Sequence, residues 1–307
     1  MSKRIFKDIA HQELFDKQGF IVLTFLEKEE IDELNSFFDQ EHPELGENGF
    51  FSGSYSSDYS YKKKASDKIV SIFSRSYEKY FIDYKPFGGA FLYKTPGSKS
   101  ELAAHQDWTI VDEESELALN CWVPLCDISL DNGPLMILPG SQYSKHPVVR
   151  APTLAFFFSG NDDLVMKELE PMLVKAGTAV ILNQSVIHYS LPNQSNAVRK
   201  AITAGVKSEN AQMYFHYKLP EEDKLEVFQE DDDFLIRFEN FAKDIGQRPK
   251  LGSSIGFKEY KLPTYSRADL QSLIAKLKTD AGFALKTPQE EPIPTKQSFM
   301  DKIKAWF

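Results

Sequence analysis

Apolar residues recur at two different periods along the chain, and the switches between them mark its elements. Phe20, Ile21, Val22 and Leu23 form an unbroken apolar run after Gly19, which predicts a short buried strand. Ile31, Leu34, Phe37 and Phe38 then recur at helical spacing. Glu27, Glu29 and Glu30 fall in the first turn of that helix, where the dipole favours acids. The first fifty residues therefore read as helix, strand, helix. From Gly49 to Tyr61 the sequence GFFSGSYSSDYSY shows no period. It reads either as a surface loop or as a lid that brings aromatic side chains to a ligand. Ser66 is expected to cap a helix running to about Tyr80.

Between Phe81 and Val206 the runs shorten. GAFLYKT, ELALNCWVPL, PLMILPG, GTAVILN and RKAITAGV alternate with turn signals such as Thr95-Pro96-Gly97, Asp131-Asn132-Gly133-Pro134 and Pro139-Gly140-Ser141. Short strands at this spacing predict a sandwich, jelly roll or barrel, since the long helices that parallel crossovers require are missing. After Ser208 the chain turns acidic at Glu221, Glu222 and Asp223 and again at Glu230 to Asp233, segments expected to be solvated surface. Ser266-x-x-Asp269 then opens a helix with Leu270, Leu273, Ile274 and Leu277 on one face, and Gly282 is its expected stop. KTPQEEPIPTK is linker-like, and Phe299, Ile303 and Trp306 would let the last ten residues form a short amphipathic helix docked on the body.

Composition narrows the function. With 42% hydrophobic residues, 24 Phe and 13 Tyr, the 307-residue chain can build a large aromatic core. Its 36 basic and 45 acidic residues leave a formal charge of −9, which argues against a general nucleic-acid binder. Cys121 and Cys126 are the only cysteines, too few for a disulfide framework or a zinc site of their own. No secretory signal is visible in MSKRIFKDIAHQELF, and no run reaches the roughly 18 apolar residues of a membrane span. A cytoplasmic protein with no membrane or nucleic-acid partner is the expectation, and the oligomeric state is open.

Among six histidines, His105 has the most suggestive neighbour, Asp107. On a strand, residues i and i+2 share a face, so imidazole and carboxylate would converge. One more histidine would complete a facial triad of two His and one carboxylate, the set that holds Fe(II) and leaves coordination positions open. His188, read as ending a strand from Thr178 to Ile187, is the best candidate, although a histidine simply satisfied at a strand end would look the same. Arg199 opens the next apolar run. A hairpin through Leu191 to Asn196 would bring its guanidinium beside the His188 strand to grip a carboxylate, with Ser190 adding a hydroxyl.

HQDW at 105–108, DNGPLMILPGSQ at 131–142 and HYSLPNQSNAVRKA at 188–201, in that order and spacing, resemble the phytanoyl-CoA dioxygenase family of Fe(II)/2-oxoglutarate-dependent oxygenases. The opening DKQGFIVLTFLEKEEIDEL at 16–34 is also similar to that family, and the resemblance covers about residues 10–208. It implies a mainly β fold with flanking helices around a double-stranded β-helix, or cupin-like jelly roll. The implied layout is one catalytic domain over 1–260, with a helical wrap at 1–80 and a jelly-roll core at 81–217, followed by a helical extension and tail at 261–307.

For the site, the resemblance implies that His105, Asp107 and His188 bind Fe(II). Arg199 and Ser190 would hold 2-oxoglutarate, Trp122 would line its pocket, and Lys94 would lie near it. The family commonly has histidine where this chain has Gln142, which puts in doubt any borrowed substrate contact there. Halogenating relatives lack the carboxylate that Asp107 supplies, so the implied reaction with O2 is hydroxylation of an unactivated C–H bond, releasing succinate and CO2. Desaturation or ring closure is the alternative within the family; a cupin-like metalloenzyme without 2-oxoglutarate and a non-catalytic jelly-roll binding protein lie outside it. A small-molecule substrate is expected to meet Trp108, Phe157 and Tyr55, although three consecutive Phe at 156–158 are more commonly core. The Tyr-rich loop and the acidic segment would suit an amine, and nothing resembles a coenzyme A site.

Overall fold

In the computed structural model, residues 4–143, 145–238, 246–250 and 252–283 are described. The expected linker and the Phe299–Trp306 helix lie outside them. The elements run α1 (Ile9–Gln18), β1 (Phe20–Thr24), α2 (Lys28–Glu41), β2 (Phe50–Ser52), α3 (Tyr59–Tyr80), β3 (Tyr84–Lys94), β4 (Leu102–His105), β5 (Ala118–Pro124) and β6 (Leu135–Ile137). They continue with α4 (Asp162–Met166), β7 (Glu170–Pro171), β8 (Thr178–Asn183), β9 (His188–Ser190), β10 (Arg199–Ser208), β11 (Met213–Lys218), β12 (Lys224–Glu230), α5 (Phe234–Arg237), β13 (Ser253–Glu259) and α6 (Arg267–Ala281).

Alternation along the strands assigns side chains to layers. A six-stranded sheet in the order β1-β8-β5-β10-β3-β2 faces a four-stranded sheet, β4-β9-β6-β7. Leu119, Cys121 and Val123 of β5, with Ile202 and Val206 of β10, point outward into a core shared with Phe73 and Tyr77 of α3 and Leu34 and Phe38 of α2. Trp122, Val180, Leu182 and Ala201 point inward and meet Leu135 and Ile137 from the opposite sheet. Met136 and Tyr189, on the other face of that sheet, pack under α6 through Leu270 and Ile274. Two facing antiparallel sheets with helices on their outer faces form the double-stranded β-helix.

Several local expectations hold, and several are corrected. Glu27 and Glu30 form a capping box on α2. Ser266 accepts from the Asp269 amide at the start of α6, and Gly282 ends that helix in the left-handed conformation. The cap of α3, however, is Asp58 rather than Ser66: its carboxylate accepts the Tyr61 amide, starting the helix within the aperiodic stretch. Ser66 is buried inside the helix. β1 is an edge strand, so Val22 is 41% exposed despite the apolar run. The acidic tract 221–233 is not uniformly surface, because β12 is the central strand of a third sheet, β11-β12-β13, in which Glu226 and Glu230 are buried. Arg248 and Ser254 hydrogen-bond the Glu226 carboxylate, which lets it leave water.

Candidate active site

The expected strand from Thr178 to Ile187 is two elements. It breaks after Asn183, whose side-chain oxygen accepts from both the amide and the hydroxyl of Ser185, and the chain crosses there to the opposite sheet. His188 thus opens β9. It lies in register with His105 at the end of β4, and the two rings are 4.1 Å apart. Asp107 follows just past the strand. His105 Nε2 is 4.0 Å and His188 Nε2 3.9 Å from Asp107 Oδ1. The three donor atoms lie within 4.8 Å of one another, close enough to share one ion and too far apart to satisfy each other by hydrogen bonds.

Both imidazoles are prepared in the same way. Nδ1 of His105 is 2.7 Å from the Ala103 carbonyl, and Nδ1 of His188 is 3.0 Å from that of Val186. A carbonyl can only accept, so each Nδ1 carries a proton and each Nε2 is the atom turned toward Asp107. Burial and the neighbouring His188 push the pKa of His105 down to about 4, which keeps its ring neutral at physiological pH.

Arg199 lies on β10, in the six-stranded sheet, so it faces the histidine strand from across the cavity rather than through a hairpin beside it. It is 2% exposed, and its Nε and Nη1 have no hydrogen-bond partner among the described residues. Burial lowers its pKa to about 10, leaving it charged at neutral pH. A buried, unpaired guanidinium costs several kcal/mol, on the order of a lost buried ion-pair partner, and calls for an anion. Its carbon sits 5.6 Å from the Trp122 ring. His105, Asp107, His188, Ser190, Trp122 and Arg199 all line one cavity of about 350 Å³.

A family model for phytanoyl-CoA dioxygenase (PhyH) matches residues 15–201, more than half of the chain. The chain belongs to the phytanoyl-CoA dioxygenase family. Phytanoyl-CoA dioxygenase 1 of Oryza sativa subsp. japonica is 30% identical over 118 residues, 38% of this chain and 42% of that protein. Phytanoyl-CoA dioxygenase domain-containing protein 1 of Danio rerio is 33% identical over 128 residues, 39% of this chain and 44% of that protein. The chain thus spans less than half the length of these curated relatives. The solved structure of the epimerase SnoN in complex with Fe3+, alpha ketoglutarate and nogalamycin RO shares the fold, with a TM-score of 0.50 at 17% identity over 66% of this chain and 86% of that one.

Within this family member, one expected site residue stands elsewhere and another lies near the site without lining the cavity. Lys94 is fully buried, but its ammonium donates to the carbonyls of Ser190 (3.0 Å) and Leu191 (2.5 Å) instead of facing the cavity. Burial and nearby Arg199 hold its pKa well below the usual lysine value. The lysine therefore ties β3 to the end of β9. Gly133, at φ +81°, leaves space for it: a Cβ there would lie 2.6 Å from the Leu191 carbonyl oxygen and 3.1 Å from the lysine stem. Phe157 is core, packed with Phe158 and His146 under α6, because three successive aromatics find their partners between α4 and the outer face of the four-stranded sheet. Tyr55 and Trp108 do line the cavity, and the segment 50–55 forms part of its wall as β2 and a following turn. Apart from Asp107, no carboxylate lines the cavity among the described residues, so the amine expectation finds no support there.

The sequence pattern did not point to the residues that hold the Asp107 segment. Arg150 donates through Nε to the Asp107 carbonyl (3.0 Å) and pairs through both Nη atoms with Glu113 in a nearly solvent-free ion pair. Gln106 donates to the Ser185 carbonyl, and His216 of β11 contacts the Thr109 carbonyl at 3.1 Å. Asn120 donates to Asp107 Oδ2 at 3.1 Å. The only signal available beforehand was the oddity of Asn120 inside the apolar strand ALNCWVP, since Asn is depleted in strands.

Proposed function

We propose that this chain is an Fe(II)- and 2-oxoglutarate-dependent oxygenase that hydroxylates a small molecule. The observation that carries this is the pairing, in one cavity, of a convergent His-Asp-His donor set with a buried guanidinium lacking an anion. Two imidazoles and a carboxylate suit a ferrous ion and leave open positions on it. His105 Nε2, His188 Nε2 and Asp107 would hold that ion. Bound iron would supply oxygen activation coupled to conversion of 2-oxoglutarate to succinate and CO2.

The protein's own share is binding, orientation and exclusion of water. Arg199 would pair bidentately with the far carboxylate of 2-oxoglutarate, and the Ser190 hydroxyl would add a donor. Trp122, flat beside Arg199, would wall that end of the cosubstrate. Tyr55 and Trp108 would contact the prime substrate on the metal side. Hydroxylation is favoured over halogenation because the Asp107 carboxylate occupies a ligand position that chloride would need. In this reading residues 1–260 act as one catalytic unit and 261–307 as an extension. The substrate partner in this reading is a small molecule; the charge of −9 disfavours nucleic acid, and no described helix is long and apolar enough to cross a membrane.

Anaerobic addition of Fe(II) and 2-oxoglutarate to the purified chain should produce a visible charge-transfer band, and a metabolite screen should reveal substrate-stimulated succinate release. A folded, iron-loaded protein with no band would remove the cosubstrate assignment.

A further inference from the structure

We infer that Asn120 is a positioning residue that holds Asp107 as a one-oxygen metal ligand, and that the Thr203 hydroxyl braces the Asn120 amide from its other end. The inference rests on the reading of His105, Asp107 and His188 as a metal centre. Asp107 has two oxygens with different surroundings. Oδ1 faces both imidazole Nε2 atoms, at 4.0 and 3.9 Å. Oδ2 accepts from the Asn120 side chain at 3.1 Å. A carboxylate free to use both oxygens can occupy two positions around a metal; one whose second oxygen is held by a donor occupies one. The position left open is one that a two-point cosubstrate and oxygen need.

An asparagine amide can turn over, presenting its carbonyl where its NH2 had been, so the donor must itself be fixed. The Thr203 hydroxyl donates to Asn120 Oδ1. In the ladder between β5 and β10, Gly205 is opposite Asn120 and Thr203 opposite Trp122, so Thr203 is the diagonal neighbour of Asn120 on the cavity face. A carboxylate only accepts, so a turned amide would set its carbonyl against Asp107; the NH2 therefore faces Asp107, and the Thr203 hydroxyl donates to the Oδ1 left on the other side. The chain Thr203–Asn120–Asp107 therefore runs in one direction, from a strand of the six-stranded sheet to the loop beyond β4. Asn120 is uncharged, so it orients Asp107 without cancelling the negative charge that a cation would meet.

Anaerobic titration of the full chain with Co(II) tests this without turnover, reading affinity, the intensity of the visible ligand-field bands and the melting temperature of the metal-free protein. Asn120→Ala and Asn120→Asp should weaken Co(II) binding by roughly 10- to 100-fold and alter the band intensity. Thr203→Val should produce a smaller loss of the same kind, and Thr203→Ser, which keeps the hydroxyl, should restore wild-type binding. A purely structural role predicts a lowered melting temperature with affinity and bands unmoved, and that result overturns the inference. So does wild-type binding by Asn120→Asp and Thr203→Val, the two variants that keep the packing if Asn120→Ala fails to fold. Wild-type protein that binds no Co(II), or binds it equally as His105→Ala, would fail the metal-centre reading itself, and the inference with it.

Discussion

The two halves of the candidate metal centre are built by different means. His105 and His188 face each other in a strand ladder, and each ring is oriented by a carbonyl of its own chain two residues back. Asp107 lies past the end of β4, in a segment without ladder partners. It is held from outside, by Arg150 at its backbone and Asn120 at its carboxylate, with Gln106 and His216 anchoring the residues on either side. A ladder specifies its geometry through local period and register. A loop must be specified by whichever side chains the fold delivers to it, so damage to the loop half should propagate from residues distant in sequence.

The largest expected effect falls on the ladder half. His105→Ala or His188→Ala should reduce divalent-metal affinity by more than about 100-fold, beyond the range of outer-shell changes. His42→Ala should leave affinity unchanged, because that ring stacks on Phe38 and hydrogen-bonds Tyr61. Isothermal titration with Co(II) separates the two, and equal losses would mean that the ladder histidines are not the ligands.

On the loop half, Arg150→Met strands Glu113 without its partner and should cost about 3–5 kcal/mol of stability, as for other broken buried pairs. The double variant Arg150→Met/Glu113→Leu should recover much of that stability in denaturant unfolding while remaining impaired in metal binding, since the tie to the Asp107 carbonyl is still missing. Recovery of both properties would show that the loop needs no such tie.

Across the cavity, Arg199→Leu should leave Co(II) affinity intact and weaken 2-oxoglutarate by roughly 10- to 100-fold, the value of a charge-assisted hydrogen-bonded contact of about 1.5–3 kcal/mol. Retained 2-oxoglutarate affinity would detach the guanidinium from the cosubstrate.

The smallest effect is on pH. The pKa of His105 is lowered in the fold to about 4, so the ring stays neutral well below its unfolded value near 6.5. Its depressed pKa means that the folded state resists taking up this proton, so the ring's contribution to stability is present above the unfolded value and is lost as pH falls from there toward 4. The His105 ring should accordingly show no titration between pH 8 and 6 in proton NMR of the metal-free protein. A titration of that ring centred near 6.5 would show that the fold does not lower its pKa.

Legibility divides along the same line. His105, Asp107, His188 and Arg199 could be picked out because motif, order and spacing mark them; Ser190 follows from period two beside His188, and Trp122 from the family resemblance alone. The supports could not. Asn120 and Arg150 act through contacts 13 and 43 residues away from Asp107 in the chain, and no local pattern announces such a partner. Lys94 does lie beside Arg199 and Ser190, but its ammonium is taken up by two backbone carbonyls at the end of β9 and does not line the cavity, a contact no local pattern announces. The Asp58 cap was missed because the glycine, serine and tyrosine around it obscure the start of α3.

By itself the sequence determined the alternation of short strands, the acidic first turn of α2, the cap and stop of α6, and the residue types of the donor set, because period, capping and motif chemistry act over a few neighbouring residues. Only the tertiary structure decided that the strand at 178 breaks at Asn183 and changes sheets, and that Arg199 therefore opposes the histidines across the cavity instead of lying beside them. It also decided that Glu226 and Glu230 are buried within a third sheet. Those outcomes depend on which side chains meet once the sheets close, and burial there removes water from groups whose partners are remote along the chain.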